Sequence, residues 1–157
     1  MARPKKHTVE YFPHDSNHGK TIFILESRWG NDGYAAWFKI LERLGASDNH
    51  FIDCRDKGTW CYLAAYCHVS ENVLLDILDT LSSLETIDTL FWNKKVIFCQ
   101  HFVDNLSEVY RKRQLDPPSK ECIADMLCLF TAEDMEFTAE ETTQEPSFQV
   151  SKVHKLN

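Results

Sequence analysis

Two amphipathic segments separated by a three-residue turn are the feature that most constrains the fold. Residues 59–67 are predicted as a short helix, and residues 71–84 place six apolar side chains at helical spacing on one face. His68, Val69 and Ser70 lie between them, and serine is a residue type that caps helix N-termini. A helix, a turn of three residues and a second helix form the helix-turn-helix pattern.

Two more helices are predicted upstream of this motif. Residues 18–29 and 32–44 both carry apolar side chains at helical spacing, with Gly30 ending the first helix and Gly45 ending the second. Residues 46–58 are polar around Phe51 and Ile52, so we expect a loop or a short strand there.

The residues after the motif have a β-like composition. Residues 86–92 and 96–99 are rich in β-branched and aromatic residues, and Asn93, Lys94 and Lys95 form a candidate turn between them. A hairpin directly after a helix-turn-helix is a wing, and a last helix is predicted over residues 101–114. The predicted fold class is therefore mainly α with a small β-hairpin, a winged helix-turn-helix.

Charge divides the chain into three parts. Residues 1–120 carry 15 basic and 16 acidic side chains, whereas residues 121–157 carry 2 basic and 8 acidic ones. We predict a basic N-terminal arm at 1–17, anchored by Tyr11 and Phe12, and a winged-helix domain at 18–115. Residues 116–157 are predicted to be an acidic, partly disordered tail with an apolar cluster at 123–130.

Several segments together resemble a known family. The motifs are RPKK at 3–6, YFPHD at 11–15, the segment from Gly30 to Leu44, and HVS at 68–70 with its following helix. This set resembles the N-terminal domain of DnaD-like phage and prophage replisome-organiser proteins, over about residues 1–114. The resemblance implies a winged-helix fold and a role in initiating DNA replication, through contacts with DNA and with replisome proteins such as a helicase or helicase loader.

The second helix of the motif is a poor candidate for reading DNA bases. It carries Glu71, Asp76 and Asp79 with no Lys or Arg, so phosphates would repel it. Basic groups elsewhere favour contacts to phosphates, with strong salt dependence and little sequence specificity. The predicted DNA-binding residues are Arg3, Lys5, Lys6, Ser70, Asn72, Lys94, Lys95, Arg111, Lys112 and Arg113. The Arg111–Arg113 run could equally well serve only to terminate a helix.

Catalysis, metal binding and membrane insertion find little support in the sequence. No phosphate loop, nucleophile elbow or zinc-protease motif occurs, so we predict neither an enzyme nor a cofactor. The six cysteines lack the paired spacing of structural zinc sites, and we expect buried thiols rather than metal ligands. The candidate ligands are Cys54, Cys61, Cys67, His68, Cys99 and His101. No apolar run is long enough to span a membrane, and we expect a cytoplasmic protein.

Three functions remain open at this point. The first is a replication-initiation protein that binds double- or single-stranded DNA, with replisome proteins and a second copy of itself as candidate partners. The second is a winged-helix protein-interaction adaptor without DNA affinity, which the acidic motif helix and the net charge of −7 favour. The third is a small transcriptional regulator, although a ligand-binding domain would be expected for that role.

Overall fold

A computed structural model describes residues 6–130, and the fold it shows is mainly helical with a small two-stranded antiparallel sheet. The predicted mainly α class with a small β element is confirmed. The helices are α1 Lys20–Ala46, α2 Lys57–Cys67, α3 Glu71–Ser83, α4 Thr89–Asn93, α5 Gln100–Asn105, α6 Ser107–Arg113 and α7 Lys120–Leu127. A 3-10 turn, Asp48–His50, leads into strand β1, Phe51–Asp53, and strand β2 is Val96–Phe98.

The helix-turn-helix lies where the sequence predicts it, as α2 and α3. The Asp56 carboxylate accepts the backbone N–H of Thr59 at 2.8 Å and begins α2. His68 adopts a left-handed conformation with φ 58° and ends α2. The Ser70 hydroxyl accepts the N–H of Val73 at 3.3 Å and begins α3. Local capping chemistry therefore sets both sides of the turn.

Helix α1 consists of two helical parts that meet at Gly30. This residue has φ 60° and ψ −142°, a conformation open essentially to glycine alone. The predicted break between the first two helices is confirmed. The predicted stop at Gly45 is slightly early, because α1 ends at Ala46.

The small sheet is not the predicted hairpin. Strand β2 pairs antiparallel with β1, with Phe51 opposite Phe98 and Asp53 opposite Val96. The predicted strand at 86–92 is wrong, because most of this segment forms α4. Asp88 accepts the N–H of Phe91 at 3.0 Å and caps this short helix, which its β-like composition concealed. The predicted wing is thus replaced by a helix and a turn at 94–95.

The first part of the predicted tail packs against the sheet. Ile123 of α7 and the following Leu129 are buried in a second apolar cluster, apart from the main core formed by the helices. Its other buried members come from α4, β2 and α5: Phe91, Val96, Phe98 and Val103. All three residues of β2 are buried, and α7 packs against this strand through Ile123. Helix α7 is therefore part of the folded domain. The predicted helix at 101–114 is divided into α5 and α6 at Leu106.

The described part of the arm lies on the core. The N–H of Val9 donates to the Gly45 carbonyl at 2.7 Å, and Val9 is buried. Phe12 packs edge-on against Phe102 with ring centroids 5.3 Å apart, as predicted. Tyr11 is not an anchor, since it is 76% exposed. The predictions for residues 1–5, and of disorder at 131–157, lie outside the described residues.

Candidate nucleic-acid interface

Arg113 joins the N-terminal arm to the end of α6. Its guanidinium donates to the backbone carbonyls of Lys6 and Thr8, each at 2.8 Å. The fold thus places the arm beside the Arg111–Arg113 run, two basic segments at opposite ends of the domain sequence. We call Lys6, Arg111, Lys112 and Arg113 the arm–α6 surface. Arg3 and Lys5 directly precede it in the sequence but lie outside the described residues.

The cations of the arm–α6 surface differ in their ion pairs and in their exposure to solvent. Lys6 forms an ion pair with Glu10, and Arg111 pairs with Glu108 at 2.6 Å. Both pairs are solvent-exposed, and such pairs contribute only about 0–1 kcal/mol. They can therefore exchange an acidic partner for a phosphate at little cost. Lys112 is exposed, whereas Arg113 is half-buried and holds the arm.

Two buried side chains, His50 and Tyr110, are hydrogen-bonded to each other next to the arm–α6 surface. The Nδ1 of His50 lies 2.9 Å from the Leu44 carbonyl, and its Nε2 lies 2.7 Å from the Tyr110 hydroxyl. Burial lowers the pKa of His50, which favours the neutral ring. Since a carbonyl can only accept, Nδ1 donates to it and Nε2 accepts from Tyr110. Burial also raises the pKa of Tyr110 to about 12, so its hydroxyl remains a donor. This pair fixes α6 against the end of α1.

The lowered pKa of His50 predicts a loss of stability in acid. An unfolded histidine gains a proton near pH 6.5 while the buried one resists, so protons favour the unfolded chain. The free energy of unfolding should therefore be highest above pH 6.5 and fall as the pH drops below that value. Urea denaturation at pH 7.5 and pH 5.5 measures the change.

Two variants separate His50 from other acid effects. His50→Gln should be less stable at pH 7.5 and should lose less stability between the two pH values than the parent chain. His101→Gln alters an exposed histidine and should keep the parent's pH dependence. An unaltered pH dependence in His50→Gln would show that this histidine does not titrate with folding.

Few polar groups of α3 are available for contacts with DNA. The Ser70 hydroxyl is occupied as the helix cap, and Asn72 is exposed in the first turn. Further along the helix, Asp79 accepts a hydrogen bond from the Trp92 indole at 2.7 Å, and Thr80 accepts one from Arg28 at 2.7 Å. Neighbouring side chains therefore engage part of the polar surface of α3, and the exposed remainder is acidic.

Lys94 and Lys95 lie in the turn between α4 and β2, away from the arm–α6 surface. Lys95 has φ 60°, and its Nζ lies 4.5 Å from the centre of the Trp92 ring. Its carbonyl accepts the N–H of Cys54, which places this turn at the Asp53 end of the sheet. His50 and the arm–α6 surface lie at the Phe51 end. The predicted basic residues therefore form two groups at opposite ends of the sheet.

A third group of cations and aromatic rings was missed by the sequence analysis. Tyr62 and Tyr66 of α2 have nearly parallel rings, at 23°, with centroids 6.0 Å apart. Lys39 and Arg43 of α1 lie over these rings at 4.8 to 5.8 Å. We call these four residues the tyrosine surface. The available signal was spacing, since each pair recurs at i and i+4 and so lies on one helix face.

Three of the six thiols are buried, so the expectation of buried thiols holds for only half of them. Cys54, Cys67 and Cys99 are buried, whereas Cys61 is half-buried and Cys122 and Cys128 are exposed. Burial raises the pKa of Cys54 to about 12 and of Cys67 to about 11, so these thiols stay protonated. Among residues 6–130, no three His, Cys, Asp or Glu side chains converge in a way that could hold a metal ion.

Comparison with known proteins gives a family for this fold. The model of the Lin1244/Lin1753-like N-terminal family matches residues 11–103, more than half of the chain. The chain belongs to the Lin1244/Lin1753-like N-terminal family. The matched segment includes the helix-turn-helix, both strands and the tyrosine surface, and it ends before α6. No curated protein and no solved structure matches the chain. Within residues 6–130, no helix combines the length and apolar character needed to cross a membrane.

Proposed function

We propose that this protein binds DNA through its sugar-phosphate backbone and acts in the initiation of phage or prophage DNA replication, as a DnaD-like replisome organiser. The observation that carries the DNA-binding part is the contact of Arg113 with the carbonyls of Lys6 and Thr8. This contact brings the Lys6 segment of the arm next to the cations of α6. The replication part rests on the sequence resemblance to the DnaD-like proteins.

The charges favour phosphate contact over base recognition. Arg3, Lys5, Lys6, Arg111 and Lys112 can each neutralise a phosphate and release a counterion. Asn72 is the one predicted base-reading side chain that is not already used in capping, and acidic residues surround it. Binding should therefore tolerate changes in DNA sequence and weaken steeply as salt is added.

The turn at Lys94 and Lys95 provides a second contact in this proposal. The strands that separate it from the arm–α6 surface contain three residues each, a length of only about 7 Å. One duplex is wide enough to reach both ends of such a sheet. Replacing both lysines by Ala should then weaken binding equally on all sequences.

An adaptor role is the second candidate, and the surface of α3 favours it. Glu71 and Asp76 are exposed on this helix and offer an acidic face to a basic partner protein. In a replisome organiser the same face could contact a helicase, a helicase loader or a second copy of the chain. An adaptor without DNA affinity would use this face alone.

A salt titration of the full chain tests the DNA-binding proposal. Fluorescence anisotropy with two 20-base-pair duplexes of unrelated sequence should give similar affinities. The logarithm of the binding constant should fall with the logarithm of the salt concentration with a slope of about −4 to −6, as expected for five to seven phosphate contacts. Absence of binding at about 50 mM salt would reject DNA binding and leave the adaptor role.

A further inference from the structure

We infer that the tyrosine surface binds single-stranded nucleic acid, with bases stacked on Tyr62 and Tyr66 and phosphates held by Lys39 and Arg43. This inference rests on the proposed DNA binding and adds to it a preferred substrate, the unpaired strand. The surface is distinct from the arm–α6 surface and from the turn at Lys94 and Lys95.

The geometry of the two rings suits stacking. The Arg43 guanidinium lies 5.3 Å from the centre of the Tyr62 ring and 5.8 Å from that of Tyr66. The two rings are stacked, at 23° and with centroids 6.0 Å apart, and Arg43 contacts both. Tyr62 is 52% exposed, so a base can reach this ring.

The Tyr66 ring is held in place by its hydroxyl. This group donates to the Glu42 carboxylate at 2.9 Å, and Lys39 lies 4.8 Å from the ring centre. A ring that is already fixed loses little freedom when a base stacks on it. The contacts with α1 therefore hold the Tyr66 ring in one position before a base binds.

The tyrosine surface carries two cations beside one carboxylate, that of Glu42, and this net positive charge favours a nucleic acid strand as the occupant. Aromatic rings stack with any base, and neighbouring cations attract the backbone, which is the combination used by proteins that bind single strands without sequence preference. In a duplex the bases are stacked inside and cannot reach these rings. A duplex can therefore use the arm–α6 surface but not the ring faces of the tyrosine surface.

The tyrosine surface and the arm meet the last turn of α1 on different sides. Arg43 lies two residues before Gly45, whose carbonyl accepts the N–H of Val9, and residues two apart do not share a helix face. The tyrosine surface is therefore a site of its own, and its effect on binding can be tested separately from the arm–α6 surface.

The test compares a single-stranded dT20 oligonucleotide with a 20-base-pair duplex in anisotropy titrations of the full chain. We expect Tyr62→Ala to weaken dT20 binding about ten-fold or more, as for loss of a stacked base, and to leave duplex binding within about two-fold. Tyr62→Phe keeps the ring and should bind dT20 like the parent chain. Phe23→Ala removes an exposed aromatic ring from the first part of α1, outside both surfaces, and serves as the matched control.

Each outcome of this test decides the inference. Duplex binding with no dT20 binding, or dT20 binding unaffected by Tyr62→Ala, would show that the tyrosine surface does not bind single strands. The proposed binding of duplex DNA would still stand. An equal loss on both substrates would also overturn the inference, because stacking cannot serve a duplex. Binding of neither substrate would overturn both the inference and the proposed function. Thermal denaturation of Tyr62→Ala should match the parent chain, which excludes unfolding as the cause of a loss.

Discussion

Ile123→Ala should lower the free energy of unfolding of this protein by about 2–5 kcal/mol, the usual cost of truncating a buried aliphatic side chain to Ala. Ile123 is 1% exposed and packs in the second apolar cluster beside Phe91, Phe98 and Val103. The substitution leaves a cavity between α7 and the sheet. Urea denaturation followed by circular dichroism measures the change.

Met126 provides the matched control on the same helix. It is 52% exposed, so Met126→Ala removes an apolar side chain without opening a cavity and should change stability by less than about 0.5 kcal/mol. Equal effects of the two substitutions would contradict the assignment of α7 to the core. A chain ended at Leu115 should show the loss more strongly, with a thermal midpoint lower by about 10 °C or more, because it leaves Phe91 and Phe98 uncovered.

Lys6→Glu combined with Lys112→Glu should weaken duplex binding by about 100-fold at 100 mM salt and make the salt slope shallower by about 2. The substitutions replace two cations of the proposed DNA-binding surface by carboxylates near Glu10 and Glu108, so the arm–α6 surface would repel phosphates. Arg113 is kept, and the arm therefore retains its attachment to α6.

The control for this double variant carries the same charge change elsewhere. Lys20→Glu with Lys57→Glu alters two exposed lysines, at the beginnings of α1 and α2. It should reduce affinity only modestly, through the change in net charge. Equal losses in the two double variants would show that total charge, rather than the arm–α6 surface, controls binding.

The sequence predicts the helical parts of this fold well, because their signals are local. The apolar stripe of α3, its Ser70 cap and the break at Gly30 are properties of short segments, and the structure contains all three. The sheet depends on a distant pairing. Residues 86–92 have a β-like composition, but Asp88 caps a helix there and β2 finds its partner in β1, which precedes the helix-turn-helix.

The candidate sites show the same division between local and distant information. Lysine and arginine runs identify the arm and α6 as basic, yet only the folded chain shows that Arg113 brings them together. The tyrosine surface needs α1 to pack against α2, so its two halves look unrelated in the sequence. Ser70 is predicted from the sequence both as a helix cap and as a DNA contact, and the structure contains the cap.

Amide hydrogen exchange of the full chain with and without a 20-base-pair duplex tests the central claim most directly. Backbone contact through the arm–α6 surface predicts that DNA slows exchange in residues 6–10 and 107–113, while the exchange of α3 stays unaltered. Slower exchange confined to the first turns of α3, with residues 6–10 and 107–113 unchanged, would contradict the account and restore α3 as the DNA-contacting helix.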